Sequence, residues 1–224
     1  MRLPANLTEE FQEEWADQVD IMHREVARQG EMLVVRDLVT SELYEVYLLN
    51  EGQPEVREAL EIRVDIMSGL GAFSAHRPSR FSRAWCCTFE VLNDIDNQQF
   101  SNRTIALFWC NLVKDLSVVR SEGVGVNGVF GPHQLGTTRA GELKMAGYFL
   151  FSRLTEENLA EANTRTIRGM RSILGHLLTQ NSTQGQAPEA RWLRNIGQSP
   201  VSSLSELTVV ADAVRQTAER WART

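Results

Sequence analysis

The strongest constraint on this chain is a series of segments in which apolar residues return every three or four positions. Each segment lies between a polar cap and a glycine or proline, which is the pattern of one amphipathic helix. The first holds Phe11, Trp15, Val19, Met22 and Val26. Asn6 with Glu9 reads as its capping box, Glu9, Glu10, Glu13 and Glu14 complement the helix dipole, and Gly30 fits its stop.

The same reading extends along the chain. Pro54 opens a helix with Val56, Leu60, Val64 and Met67 inside, and Ser79 caps another carrying Phe81, Trp85, Phe89 and Leu92. Ser101 or Asn102 starts a segment so apolar, through Ile105, Phe108, Trp109, Leu112, Val113 and Leu116, that it belongs at the centre of the core. After Thr137 or Thr138, helical order is expected again over Leu143, Met145, Ala146, Phe149 and Leu150. Thr155 precedes a long helix with Leu159, Ile167, Met170, Ile173, Leu174, Leu177 and Leu178 inside. A short helix holds Trp192, Leu193 and Ile196 and stops at Gly197, and Ser203 with Glu206 boxes the last one, with Leu207, Val210, Val214 and Trp221 inside. Met32–Leu49 is ambiguous: Leu43–Leu48 has strand-like content, while length and flanking charges favour helix.

These segments predict a mostly α fold, a single-domain bundle of about eight helices spanning residues 1–224. One glycine-rich irregular stretch, 121–138, interrupts it. A polar loop, 181–188, offers a subdivision into a main bundle, 1–180, and a C-terminal helical segment, 189–224. With 224 residues the chain is long enough to bury a large core, and 42% hydrophobic with 23% charged residues argues against disorder. No run approaches the ~18 apolar residues of a membrane span, and no apolar run follows the N-terminus, so neither membrane insertion nor a secretory leader is expected. Cys86, Cys87 and Cys110 are too few for a disulfide framework and contain no Cys-x-x-Cys, which suits reduced thiols in the cytoplasm.

Charge is unevenly spread. Residues 1–72 hold 16 acidic residues against 6 arginines, and residues 73–224 hold 13 against 17 cationic ones. Such asymmetry can orient a chain against a partner or against another copy of itself, or can reflect an acidic face beside a mildly basic one. Of the 23 cationic residues only Lys114 and Lys144 are lysine. Arginine's planar fork grips carboxylates and phosphates at two points, although genome codon usage produces the same bias.

Motifs for catalysis are weak. Gly123, Gly125 and Gly128 match G-x-G-x-x-G by letter, but neither the preceding strand nor the acidic residue about 20 positions on is expected, so no dinucleotide cofactor is predicted. His23, His76, His133 and His176 are scattered, and Asp94, Asp96 and Gln98 imitate a calcium loop without its glycine or closing glutamate, so no metal site is assigned. No G-x-S-x-G occurs, and Cys110 lies in an apolar helix that suppresses thiolate formation. No catalytic residue is assigned.

Arginine rows are the remaining signal. Arg165, Arg168 and Arg171 recur every three residues, Arg77, Arg80 and Arg83 repeat the spacing, and Arg191 and Arg194 flank Trp192. Such rows can track a phosphate backbone, with His176 or Trp192 stacking on bases; they also suit solvated or paired arginines, the more common case, for instance Arg165 with Glu161. The pI of about 5.3 counts against tight free binding of nucleic acid. The favoured expectation is a non-enzymatic, self-assembling structural protein of helical coat or nucleocapsid type, homo-oligomeric and touching single-stranded nucleic acid through these arginines. Two alternatives stand beside it. One is a regulatory module binding a protein in an interhelical groove; the other is an enzyme or small-ligand binder roofed by the Gly123–Gly136 loop.

Overall fold

The structure, a computed structural model, describes residues 7–27, 30–50, 70–74, 79–81, 84–96, 98–126, 130–146, 151–180 and 187–221. It divides into two compact units, Met1–Gly69 with Ser74–Val91, and Leu70–Phe73 with Leu92–Thr224.

In the first unit a short helix, α1 (Leu7–Trp15), precedes strands β1 (Val19–Ala27), β2 (Gly30–Asp37), β3 (Leu43–Asn50), β4 (Ser79–Phe81) and β5 (Ala84–Glu90). They form one antiparallel sheet in the order β1-β2-β3-β5-β4. Side chains alternate across a strand, so Leu33 and Val35 of β2 share a face with Val46 and Leu48 of β3. That face meets Leu7 and Phe11 of α1, with Trp15, Val19, Ile21 and Tyr44 around it. The Phe11 and Trp15 rings stack at 6.0 Å. The carboxylate of Glu31 accepts the Thr8 hydroxyl from α1 and pairs with Arg24 of β1 at 3.1 Å, which ties helix and edge strand to β2.

The β2–β3 hairpin turns without glycine or proline. Asp37 Oδ1 accepts the backbone N–H groups of Val39 and Thr40 at 2.8 and 2.7 Å, an Asx turn. Ser41 then adopts φ +59°, a left-handed conformation uncommon outside glycine.

The second unit is built on α2 (Asn102–Ser121), α3 (Leu159–Gln180), α4 (Pro188–Gly197) and α5 (Leu204–Arg220). Ser101 caps α2 by accepting Thr104 N–H, and Ser203 caps α5 by accepting Glu206 N–H. Ile105, Phe108, Trp109, Leu112, Val113 and Leu116 of α2 are all buried, so this helix is the centre of the core. Trp109 donates its indole N–H to the Met170 carbonyl of α3 at 3.1 Å. Two small antiparallel ribbons complete the unit: β6 (Val124–Val126) with β9 (Phe151–Arg153), and β7 (Leu135–Thr137) with β8 (Leu143–Met145).

Between two stretches of the first unit, Leu70–Phe73 belongs to the second. Met145 N–H donates to the Ala72 carbonyl at 2.8 Å, Lys144 Nζ donates to the Gly71 carbonyl at 2.6 Å, and Ala72 N–H donates to Asp115 Oδ2 at 2.7 Å. Phe73 forms a parallel bridge with Met145.

The mixed α/β architecture corrects the expected mostly α, eight-helix bundle; among the described residues there are five α-helices and nine strands. The first expected helix ends at Trp15, and Val19–Ala27 is a strand. Met22 and Val26, read as part of its inner stripe, are 47% and 71% exposed. Met32–Leu49 is a hairpin, Ser79–Leu92 contributes two strands, and Leu143–Met145, expected to be helical, is strand β8, while Phe149 and Leu150 lie outside the described residues. In β2 and β3, two-residue alternation on a half-buried surface outweighs a three-to-four spacing that the same residues also satisfy. The expected helix after Pro54, through Met67, lies outside the described residues, as does the greater part of the 181–188 loop.

Candidate functional site

The arginines selected from the sequence fall in both units. Arg80 lies in β4 of the first, and Arg77 and Arg83 lie outside the described residues. The other five lie on α3 and α4 of the second, two helices that pack against each other. They keep to the outer sides because Ile167, Met170 and Leu174 of α3 and Ala190 and Leu193 of α4 occupy the inner ones. Arg168, Arg171, Arg191 and Arg194 are exposed and Arg165 is half-buried.

Arg165 and Arg171 make contacts within the chain. Arg165 pairs with Glu161 one turn earlier, as their spacing allows. Arg171 donates to the Ser199 carbonyl at 2.7 Å, binding the turn after α4 to α3 and using one of its five N–H groups in that contact. Trp192 meets Trp221 edge to face, ring centroids 5.8 Å apart, so this indole helps hold the end of the chain.

The charge asymmetry follows the division into units. The first unit holds 17 acidic residues against 9 basic ones, a net −8, and the second holds 12 against 14, a net +2.

Sequence reasoning did not single out the groove between α2 and α5, which encloses about 270 Å³. The helices present small side chains there, Ser117 from one and Thr208 and Ala211 from the other, so the space between them stays open. Its hydroxyl groups are already partnered: Ser117 Oγ donates to the Val113 carbonyl at 2.9 Å and bonds Thr208 Oγ1 at 2.8 Å. Cys110 Sγ donates to the Ala211 carbonyl at 3.1 Å, and burial pushes this thiol up to about 12, so it stays protonated at neutral pH. Lys114 on α2 and Asp212 and Arg215 on α5 complete the lining. The paired polar side chains that mark the groove come together only through the tertiary pairing of α2 with α5.

Within the glycine-rich stretch Gly125 and Gly136 are closely packed, whereas Gly123, at φ +73°, has open space beside it. A Cβ on Gly125 would meet Leu154 at 2.6 Å, and one on Gly136 would meet Leu92 at 2.4 Å. The space beside Gly125 measures about 10 Å³, no more than one water requires. Asp94 Oδ1 accepts Asp96 N–H, and Asp96 accepts the Gln180 amide. Among the described residues no group of three or more His, Cys, Asp or Glu side chains is placed to hold a metal. No helix among them is long and apolar enough to cross a membrane.

Asp115 is the one buried acidic residue among those described, and burial raises its pKa; the Ala72 N–H and the charges of Lys114 and Lys144 pull the other way. It anchors Ala72 rather than facing a pocket. Compared with known protein families and with proteins of established function, the sequence matches no family model and no relative.

Proposed function

We propose that this chain is a cytoplasmic, non-enzymatic, self-assembling structural protein of coat or nucleocapsid type. In this reading the acidic first unit of one copy docks on the arginine-bearing second unit of the next, and the same arginines touch the phosphates of a single-stranded nucleic acid. The observation that carries it is the arrangement of charge: exposed Arg168, Arg171, Arg191 and Arg194 lie on two packed helices of a unit with net charge +2, while the other unit is net −8. An overall acidic chain can still hold nucleic acid this way, because many weak phosphate contacts add along one strand once copies are linked.

Sedimentation of natively purified protein, at low and high salt and with and without nuclease, tests the reading. Large species that dissociate with salt, and absorbance at 260 nm in excess of protein that nuclease removes, are the expected result. A monomer indifferent to salt and free of nucleic acid would overturn it. Replacing Arg168 and Arg191 by alanine is expected to lower the salt dependence of single-strand binding by about 0.7 for each phosphate that is no longer neutralised.

A further inference from the structure

We propose that the α2–α5 face is a two-fold interface through which two copies of the chain pair; the identity of its occupant rests on the self-assembly reading above. Among the described residues of the second unit, the exposed large hydrophobics are Val118, 44% exposed on α2, and Val209, 71% exposed on α5. Val118 lines the groove, and Val209 follows the lining residue Thr208 on α5 and shares the exposed side of that helix with Asp212, three residues on. From Cys110 to Ser121 the α2 wall runs about 16 Å, at a rise of ~1.5 Å per residue, enough for three turns of a docked helix.

The chemistry of the groove selects the kind of partner. A small polar ligand needs converging unpaired donors or acceptors, whereas Ser117 and Thr208 are bonded to their own helices and to each other, and Cys110 is bonded across the groove to the Ala211 carbonyl of α5. What remains to be covered is apolar surface with a charged margin. Lys114 makes the α2 side of that margin positive, while α5 carries the negative Asp212 beside the positive Arg215, which Asn111 Oδ1 holds toward α2 at 2.7 Å. In a two-fold pair every contact occurs twice with the roles exchanged. A copy that lays its α2 along the other's α5 sets Lys114 against Asp212 on both sides and buries the valines between them. A foreign surface of single sign would gain one of these matches and meet repulsion at the other.

This contact differs in kind from the charge-driven one. An isologous apolar pair closes on itself and resists salt, whereas docking of an acidic unit on a basic one is heterologous, extends the assembly, and is screened. Together they make the assembling unit a dimer.

The full-length chain in about 1 M salt, where charges are screened beyond ~3 Å, tests this by analytical ultracentrifugation. The native protein is expected to be a dimer there, and the exposed-site variant Val118→Glu with Val209→Glu a monomer with an unchanged far-UV circular dichroism spectrum. At intermediate salt, Asp212→Lys is expected to weaken dimerisation tenfold or more, and Lys114→Asp added to it to restore pairing. If the valine variant does not fold, this charge exchange decides: absence of both weakening and rescue overturns the interface. A native chain that assembles at low salt but is monomeric in high salt also overturns it while leaving self-assembly standing, as does a dimer untouched by the valine changes. A dimer at every salt with nothing larger supports the interface and removes the extended assembly.

Discussion

The first unit lays one short helix over one face of a sheet, so Leu33, Val35, Val46 and Leu48 meet Leu7 and Phe11 in a single layer. The second unit encircles α2, whose buried side chains face several directions and whose Trp109 is bonded into the neighbouring helix. It also contains backbone approaches that leave no room for a methyl group. A Cβ on Gly169 of α3 would lie 2.2 Å from Phe130 Cδ1 and 2.6 Å from the Phe130 carbonyl oxygen. A single-layer core is sensitive to lost volume; an encircled one with such approaches is sensitive to lost and to added volume alike.

Deletion of the central side chain should have the largest effect. Trp109→Ala is expected to destabilise the protein by about 3–5 kcal/mol and Leu33→Ala by about 2–5 kcal/mol, measured by urea unfolding. Hydrogen exchange should report the first loss along α2 and α3 and the second along β2 and β3.

Added volume sharpens the contrast within one helix. Gly169→Ala is expected to cost about 1–3 kcal/mol through overpacking against Phe130. Gly175, also in α3, has open space for 4 Å around the position a Cβ would take, so Gly175→Ala should stabilise by up to about 1 kcal/mol through helix propensity. Equal responses at the two glycines would mean that close approach does not set this unit apart.

The buried carboxylate gives a pH-dependent test. Burial raises the Asp115 pKa above its ordinary 3.8, so the folded protein binds this proton more tightly than the unfolded chain does. Its contribution to stability therefore falls as pH rises from that value through the raised one. Asp115→Asn keeps an acceptor for Ala72 N–H and should flatten this part of the pH profile, whereas Asp115→Ala strands a buried donor and should cost about 1–3 kcal/mol. Urea midpoints from about pH 4 to about pH 7 separate the two. The smallest loss is expected at a helix end: Ser203→Ala removes the acceptor for Glu206 N–H and should cost about 1 kcal/mol, read as a shift in thermal midpoint.

The contrast between the units also explains what could be read from the residues alone. The helices of the second unit announce themselves twice, by caps at Ser101 and Ser203 and by apolar residues that recur every three or four positions, in α2 around most of the circumference. Asn158 and Thr155 bond reciprocally ahead of α3, so that start is legible too. The sheet hides its period. β1 changes register between Ile21 and His23, which throws Met22 out of alternation and lets Val19, Met22 and Val26 imitate a helix. The hairpin conceals itself because Asp37 and Ser41 form its turn in place of a glycine or proline. Of the candidate site, the Arg165–Arg171 and Arg191–Arg194 rows were legible because each is confined to one helix. Their packing on adjacent helices, and the α2–α5 groove, depend on contacts between segments far apart in sequence.

The excursion of Leu70–Phe73 into the second unit has a consequence for how the protein is made. Ala72 leaves the ribosome 43 residues before its acceptor Asp115, and earlier still than the Met145 amide that completes its anchorage. At about 5–20 residues per second the first interval alone is on the order of two to nine seconds. Strand β5, which fills the sheet position between β3 and β4, is synthesised within that interval. The sheet can therefore be complete while the four residues threaded through its own sequence still await their place, and a ribosome stalled before Asp115 would expose Leu70 and Phe73 to whatever chaperone or sister chain arrives first.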